Sequence, residues 1–406
     1  MSIIHALGGR VYQGIFYLAA FFLPFREPKV LKGVGTIQDI SAILLENKKK
    51  CVLIVTDQTL FSLGLLTPLL AGLQKEKIIF EIYSGTVANP TIDNVEEGLE
   101  IFKRIGAEAI IAFGGGSPLD CAKMIGARAT NPKKSVKKMK GLLKVRKKLP
   151  LLIAVPTTAG TGSEVTIAAV IVDKETQEKY PISDPKLIPD YAVLDPELLV
   201  GLPPQWTSTT GMDALTHAVE AYTNRFQIRQ SRKAARYAVR LIDENLLQCY
   251  QNPHDLQARE NMQVAAYQAG LAFTRGYVGN IHALAHTFGG FYDVPHGLAN
   301  AVIMPHVLKY YGKRAYKRLA ELCDEIELLD PSATREAKTK AFIKWIEDLN
   351  KTMQIPTQIK QVLKKKDLPI MVKRAYREAY PLYPTSVILT KTDFQRLFAM
   401  VATISK

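Results

Sequence analysis

Short apolar runs alternate with helix-length stretches through the first half of the chain. Four runs are rich in valine and isoleucine and are bounded by turn-forming or charged residues, which is typical of strands. Strands that are apolar throughout and alternate with helices indicate a parallel sheet covered on both faces. The predicted strands are Val52–Thr56, Ile78–Tyr83, Ala109–Phe113 and Leu151–Val155, and the helices between them include Ile92–Ile105 and Leu119–Ala129.

The pattern changes after about residue 200, where strand-like runs give way to helical ones, and Leu202-Pro203-Pro204 marks the predicted boundary. We expect an N-terminal extension over 1–27, an α/β domain with a parallel dinucleotide-binding sheet over 28–202, and an all-α metal and substrate domain over 203–406. The active cleft is expected between the last two domains. The helices predicted after the boundary are Trp206–Tyr222, Ser231–Tyr250, Leu256–Arg275, Lys313–Glu327 and Ala337–Asn350.

The N-terminal extension contains the apolar run Ile15–Leu23. This run is far shorter than the roughly 20 residues of a membrane-spanning helix. A signal peptide remains an alternative, although Arg10 is a weak basic region and no clean A-x-A cleavage site follows. We expect a buried or interfacial helix that precedes the first strand, and no membrane span.

Composition identifies a globular protein, since 47% of the 406 residues are hydrophobic and 22% are charged. The net charge is +15, and the segment 133–148 holds basic residues without any acidic one. We interpret this segment as a solvated surface loop. A protein that binds nucleic acid or a membrane surface is a remote alternative, and no nucleic-acid partner is expected because no recognition motif accompanies the charge.

The four cysteines are scattered along the chain, without a C-x-x-C pair. Their spacing excludes a disulfide scaffold and a cysteine-based zinc site. Unpaired cysteines are typical of a reducing compartment, so we expect a cytoplasmic protein.

A glycine-rich loop follows the third predicted strand. Gly114, Gly115, Gly116 and Ser117 separate that strand from a helix. Glycines let backbone amides approach an anion, and the start of a helix adds donors and a positive dipole, which suits a pyrophosphate. The loop matches neither G-x-G-x-x-G nor the P-loop, so a plain strand-to-helix turn is the alternative.

Two further positions follow predicted strands in the same way. Asp57 is placed to accept hydrogen bonds from ribose hydroxyls and to repel a 2′-phosphate, which favours NAD over NADP. A helix N-cap is its other, compatible role. The stretch PTTAGTGSE over 156–164 offers hydroxyls from Thr157, Thr158 and Thr161, or forms a plain turn.

Four histidines and one aspartate fall in two short windows. Asp213 and His217 are four residues apart in a predicted helix, as are His282 and His286, while His296 lies on a glycine-flanked turn. Three imidazoles and one carboxylate suit Fe(II) or Zn(II). Spacing alone nominates His286 rather than His296 as the third imidazole. Each window alone also fits a helix-surface ion pair or a satisfied core histidine.

The motifs GGGSPLDCAK, PTTAGTGSEVT, GMDALTHAVEAY and HALAHTFGGFYDVPHGLANAV resemble those of the iron-containing (group III) alcohol dehydrogenase family, and the resemblance runs from about Glu27 to the end. It implies the dehydroquinate synthase-like architecture. It also implies that a metal is held by Asp213, His217, His282 and His296, with His286 near the substrate as a proton relay. The cofactor residues that it implies are Asp57, Asn89, Gly114, Gly115, Gly116, Ser117, Asp120, Thr157, Thr158, Thr161 and Lys179.

The resemblance further implies reversible hydride transfer between a primary or small alcohol, or the matching aldehyde, and NAD, with NADP as an alternative. The metal would be Fe(II), with Zn(II) as an alternative, and would polarise the substrate oxygen. A homo-oligomer, a dimer or larger, is also implied. The closest alternatives are a glycerol dehydrogenase, another polyol or aldehyde reductase, and a dehydroquinate synthase of the same architecture.

Overall fold

The computed structural model describes residues 3–21 and 25–405, which group into two compact units. One unit comprises Pro24–Leu202 together with Asn252–Tyr267. The other comprises the N-terminal helix, Pro203–Gln251 and the chain from Gln268 onward.

A parallel sheet of six strands forms the centre of the first unit, in the order β1-β9-β6-β4-β2-β3. The central strands β2 and β4 are buried along their whole length, which explains their unbroken apolar sequences. The strands are β1 (Lys29–Lys32), β2 (Cys51–Val55), β3 (Ile79–Tyr83), β4 (Ala109–Gly114), β6 (Leu151–Pro156) and β9 (Tyr191–Leu194).

Helices connect the strands of this sheet and cover it. They are α2 (Ile40–Glu46), α3 (Gln58–Ser62), α4 (Thr67–Lys75), α5 (Ile92–Arg104) and α6 (Gly116–Thr130). The four predicted strands and both predicted helices are therefore confirmed. The sequence missed β1 and β9, which are only four residues long, and β1 lies at an exposed edge with lysine at each end.

A smaller sheet of three strands, β5-β8-β7, belongs to the same unit. Strands β7 (Ala168–Asp173) and β8 (Glu178–Ser183) form an antiparallel hairpin, and β5 (Gly141–Leu142) pairs with β8 in parallel. This sheet was not predicted.

The basic segment 133–148 is part of this smaller sheet, so its interpretation as a solvated loop was wrong. It contains α7 (Val136–Met139) and β5, and the side chains of Val136, Met139 and Val145 are buried in the core. Lys137, Lys140 and Lys148 form ion pairs with acidic residues of the same unit. The apolar residues between the lysines anchor the segment, which a count of charges does not reveal.

The second unit is helical, apart from a short parallel pair, β10 (Ile359–Leu363) and β11 (Ala402–Ile404), that was not predicted. The residues of helix α10 up to Tyr267 belong to the first unit, and those from Gln268 onward belong to the second. The helices are α1 (Ile3–Phe21), α8 (Pro204–Thr223), α9 (Arg229–Gln251), α10 (Leu256–Gly276), α11 (Asn280–Tyr292), α12 (His296–Tyr311), α13 (Tyr316–Glu325), α14 (Arg335–Thr352), α15 (Leu368–Ala379) and α16 (Lys391–Val401).

The N-terminal extension forms α1, as expected, but this helix is not buried throughout. Leu7, Val11, Ile15 and Leu18 are more than half exposed, whereas Gly9 and Gln13 are buried. Residues 22–24, at the end of the apolar run, lie outside the described residues. Among the helices that are described, none combines the length and apolarity that a membrane crossing requires.

Candidate metal and cofactor sites

Three helices of the helical unit bring the predicted metal ligands together. Helix α8 carries Asp213 and His217, α11 carries His282, and α12 begins with His296. One ligand atom from each of the four side chains lies within 4.8 Å of the other three. His296 is the first residue of a helix rather than part of a turn, and it joins this group.

A close approach between α8 and α12 makes the cluster possible. A Cβ atom at Gly297 would lie 2.3 Å from the carbonyl oxygen of Thr209, so only glycine fits there. The approach brings His296 Nε2 within 3.6 Å of Asp213 Oδ1, and His282 Nε2 lies 3.9 Å from the same oxygen. These separations approach the roughly 3.4 Å between ligand atoms that are tetrahedrally bound at about 2.1 Å.

A buried carboxylate sets the proton position on His282. Glu220, one helical turn after His217, accepts a hydrogen bond from His282 Nδ1 at 2.7 Å and two more from the backbone amides of Gly279 and Ile281. With its proton on Nδ1, His282 presents the Nε2 lone pair to the cluster. Burial raises the pKa of Glu220 to about 7, and the donated hydrogen bonds oppose that rise.

Asn300 contacts three of the four predicted ligands. Its amide nitrogen donates to Asp213 Oδ1 at 2.6 Å and lies 3.1 Å from His282 Nε2 and 3.2 Å from His296 Nε2. The Asn300 amide nitrogen is shared by one carboxylate and two imidazole nitrogens. These three groups therefore point toward a common position, as the ligands of one cation do. The donor set therefore fits a divalent transition metal such as Fe(II) or Zn(II).

His286 lies next to the cluster but outside it. Its Nδ1 contacts Glu378 Oε1 at 2.6 Å, and its ring stacks on that of His296 with centroids 5.2 Å apart. The structure does not match the nomination of His286 from spacing alone, because the group of ligand atoms that lie within 4.8 Å of one another includes His296 and not His286.

The sequence reasoning did not single out three residues that shape this site: Glu220, Asn300 and Glu378. Glu220 and Asn300 follow His217 and His296 by one helical turn inside the quoted motifs, and that spacing was an available signal. Glu378 is 92 positions from His286, and no local pattern connects the two.

The glycine loop and its neighbours lie along one edge of the α/β unit. Asp57, Gly115 and Thr157 each follow the carboxyl end of a strand, and the strands β2, β4 and β6 are adjacent in the sheet. Ligands of such sheets bind at this edge. A Cβ atom at Gly116 would lie 2.6 Å from Thr161 Cγ2, so the two loops are in close contact.

Several of the predicted cofactor residues make hydrogen bonds within the α/β unit. Asp57 is an N-cap, as expected, and accepts a hydrogen bond from the Leu60 amide. Lys179 on β8 donates to Asn89 at 2.7 Å. Asp120 accepts hydrogen bonds from Ser163 Oγ and the Val170 amide. These two contacts of Asp120 hold the loop that follows β6 and the start of β7. Ser117 and Thr158 lie, half-buried, in the two loops just described.

A fully buried lysine supports the same loop. Lys123 on α6 donates to the carbonyl oxygens of Thr166 and Ala168 and to the Thr166 hydroxyl. Burial lowers the pKa of Lys123 to about 8, and attraction to Asp120 and Glu164 opposes the decrease. Burial raises the pKa of Glu164 to about 7. The lysine therefore balances charge inside the unit while it fixes the loop.

The glycine loop and the donor set of one aspartate and three histidines define a metal-dependent oxidoreductase that uses a dinucleotide. The family model "Iron-containing alcohol dehydrogenase" matches residues 27–196, and "Fe-containing alcohol dehydrogenase family, C-terminal" matches 207–400. The chain belongs to the iron-containing alcohol dehydrogenase family.

Three relatives illustrate the similarity. The chain is 39% identical to 1,3-propanediol dehydrogenase of Klebsiella pneumoniae, over 82% of this chain and 87% of that protein. It is 35% identical to NAD-dependent methanol dehydrogenase of Bacillus methanolicus, over 88% and 93%. The solved structure of alcohol dehydrogenase from Oenococcus oeni superimposes with a TM-score of 0.89 at 33% identity, covering 93% of this chain and all of that one.

The first prediction concerns Glu220. We expect Glu220→Gln to weaken metal binding about 10- to 100-fold, because His282 loses the partner that fixes its tautomer. Titration of the metal-free protein with Fe(II) or Zn(II) measures the affinity. Glu244→Gln on α9, an exposed position, is the control. Equal affinities in both variants would contradict the role of Glu220.

The second prediction concerns Lys123. We expect Lys123→Met to lower the free energy of unfolding by about 3–5 kcal/mol, because two buried carboxylates lose their cation and two carbonyls lose a donor. Denaturant titration measures the loss. The exposed change Lys147→Met should stay within about 0.5 kcal/mol of the parent. A small effect at Lys123 would mean that the carboxylates are neutral in the folded protein.

Proposed function

We propose that this protein transfers a hydride reversibly between a small primary alcohol and NAD, forming the matching aldehyde. The convergence of Asp213, His217, His282 and His296 within 4.8 Å is the observation that carries the proposal. The similarity to dehydrogenases of methanol and 1,3-propanediol supports primary alcohols as the substrate class.

The chain's own residues have distinct tasks in this reaction. When bound, a divalent cation supplies Lewis acidity that lowers the pKa of the alcohol hydroxyl, and NAD accepts the hydride. Asp213 and the three imidazoles hold the cation, and Glu220 keeps the proton of His282 on Nδ1. The Nδ1 proton of His286 is held by Glu378, which leaves His286 Nε2 as the acceptor for a released proton.

The α/β unit binds the dinucleotide in this proposal. The amides of Gly115, Gly116 and Ser117 at the start of α6 receive the pyrophosphate. Thr157, Thr158 and Thr161 add hydroxyl donors, and Asp57 accepts hydrogen bonds from the ribose. Asp120, Asn89 and Lys179 act by holding the surrounding loops.

The finer assignments are part of the same proposal. We propose a homo-oligomer and a reducing, cytoplasmic setting; the four buried cysteines, which form no disulfide, support the reducing setting. Elemental analysis of the purified protein, with a panel of alcohols and aldehydes against NAD(H) and NADP(H), tests the function. We expect one Fe or Zn per chain and NAD-linked turnover of primary alcohols. A metal-free protein that turns over none of them would refute it.

A histidine substitution tests the metal site. We expect His282→Ala to lose at least about ten-fold in metal affinity and to lose turnover, because one of four ligands is removed. NAD affinity, measured by calorimetry, should not change. His306→Ala on α12 is the control, since His306 contacts the Thr357 carbonyl outside the cluster. Full metal content in the His282 variant would show that the ligand set is different.

Two substitutions at Asp57 test cofactor selectivity. We expect Asp57→Gly and Asp57→Asn to raise the ratio of NADP to NAD in kcat/KM about ten-fold, since both remove the charge that repels a 2′-phosphate. Asparagine keeps the helix cap, and glycine costs only a few tenths of a kcal/mol there. An unchanged ratio in both variants would exclude the ribose role.

A further inference from the structure

The N-terminal helix α1 precedes the region that matches the family model, which begins at residue 27. Two described residues of α1 that meet the helical unit closely are small or polar. A Cβ atom at Gly9 would lie 2.4 Å from the ring of Tyr380, and Gln13 is 3% exposed. The apolar side chains Val11 and Ile15 are exposed instead. Among the side chains of α1 that the structure describes, polar contacts of Arg10 and Gln13 therefore dock the helix, together with the stacking of Tyr17 on Phe226.

Those contacts are made with the connection between α15 and α16, residues 380–387, which contains neither helix nor strand. Arg10 donates to the carbonyl oxygens of Thr385 and Ser386 at 2.7 and 3.2 Å. Gln13 donates to those of Pro381 and Tyr383 at 2.9 and 2.8 Å. The Gln13 side-chain oxygen accepts a hydrogen bond from Arg10, which orients both side chains.

The rest of the unit supplies partners for two more carbonyls of segment 380–387. The Arg225 amide donates to the Pro384 carbonyl, and the Asn280 side chain donates to that of Val387. Arg10 and Gln13 thus supply the donors for four of the carbonyls. Because buried carbonyls need partners, these two side chains contribute a large share of the contacts that hold the segment in one conformation, beside those of Arg225, Asn280 and Ser386.

A short series of contacts links this segment to the metal ligands. The Tyr383 hydroxyl donates to Glu378 Oε1 at 2.9 Å, and the same oxygen contacts His286 Nδ1 at 2.6 Å. The His286 ring stacks on His296, one of the four ligands. Tyr383 is 5% exposed and His286 6% exposed, so little solvent reaches these contacts.

We propose that Arg10 and Gln13 are positioning residues of the alcohol site: through segment 380–387, Tyr383 and Glu378, they fix the ring of His286 beside the metal ligands. The importance of His286 to the alcohol rests on the proposed function. The fixed orientation of its ring does not. Loss of either donor increases the mobility of the segment and of the His286 ring. The metal ligands and the α/β unit keep their own contacts.

The test uses the full chain with Arg10→Ala and Gln13→Ala, and with Arg10→Lys as the conservative variant. Val11→Ala, on the exposed side of α1, is the control. Tyr383→Phe removes only the hydroxyl that reaches Glu378. Amide hydrogen exchange follows segment 380–387, with α13 as the reference, and ¹⁵N-histidine NMR follows the Nδ1 proton of His286. Kinetics and metal analysis complete the set.

In the two alanine variants we expect exchange over 380–387 to accelerate at least ten-fold, the His286 Nδ1 proton signal to disappear and kcat/KM for the alcohol to fall about ten-fold. A ten-fold change corresponds to about 1.4 kcal/mol. Metal content and NAD affinity should stay within about two-fold of the parent, since their residues are not touched. Arg10→Lys should recover most of the loss, and Tyr383→Phe should lose the proton signal without faster exchange.

Three results would overturn the proposal: unchanged exchange over 380–387, faster exchange with an unchanged His286 signal, or a parallel loss of metal and NAD binding, which would mean general destabilisation. Faster exchange and a lost signal with unaltered kcat/KM would also overturn the part that concerns the alcohol. The NMR and exchange readouts need no turnover. A parent protein that oxidises no alcohol would refute the proposed function and leave the positioning of His286 to be judged by these two readouts.

Discussion

The buried carboxylate of Asp213 is the charge on which the helical unit depends. Asp213 is 2% exposed, and a carboxylate taken out of water without a partner is costly. Its surroundings supply one amide nitrogen at 2.6 Å and the ring nitrogens of the clustered histidines. A divalent cation held by these ligands would complete the compensation of that charge, so the stability of this packing and the proposed chemistry would depend on the same ion.

The rest of the site follows from bringing three helices to that carboxylate. Gly297 allows α12 to cross α8 at a distance that no side chain would permit. Glu220 accepts hydrogen bonds from the first turn of α11, where backbone amides have no partner within the helix, and it also orients His282. One carboxylate therefore caps a helix and sets a ligand, which explains why both of its oxygens are buried and occupied.

The sequence predicted the elements whose apolar pattern lies within one segment, and it missed features that depend on contacts between distant segments. The apolar runs that became β2 and β4 are buried on both faces, so their patterns were unambiguous. The short edge strand β1 has no such pattern. Spacing nominated His282 and His286 together as ligands, but it could not show that His296, on another helix, joins the cluster instead of His286. His286 instead lies beside the cluster, with its Nδ1 against Glu378 from another helix. Recognition of the family motif supplied His296, where spacing did not.

In both units, long polar side chains of a helix donate hydrogen bonds to the backbone carbonyls of a neighbouring segment. In the α/β unit, Lys123 extends from α6 and supplies donors to the carbonyls of Thr166 and Ala168. In the helical unit, Arg10 and Gln13 extend from α1 to the carbonyls of segment 380–387. The conformation of each segment therefore depends in part on one or two long side chains, since no ladder of backbone hydrogen bonds supplies these donors.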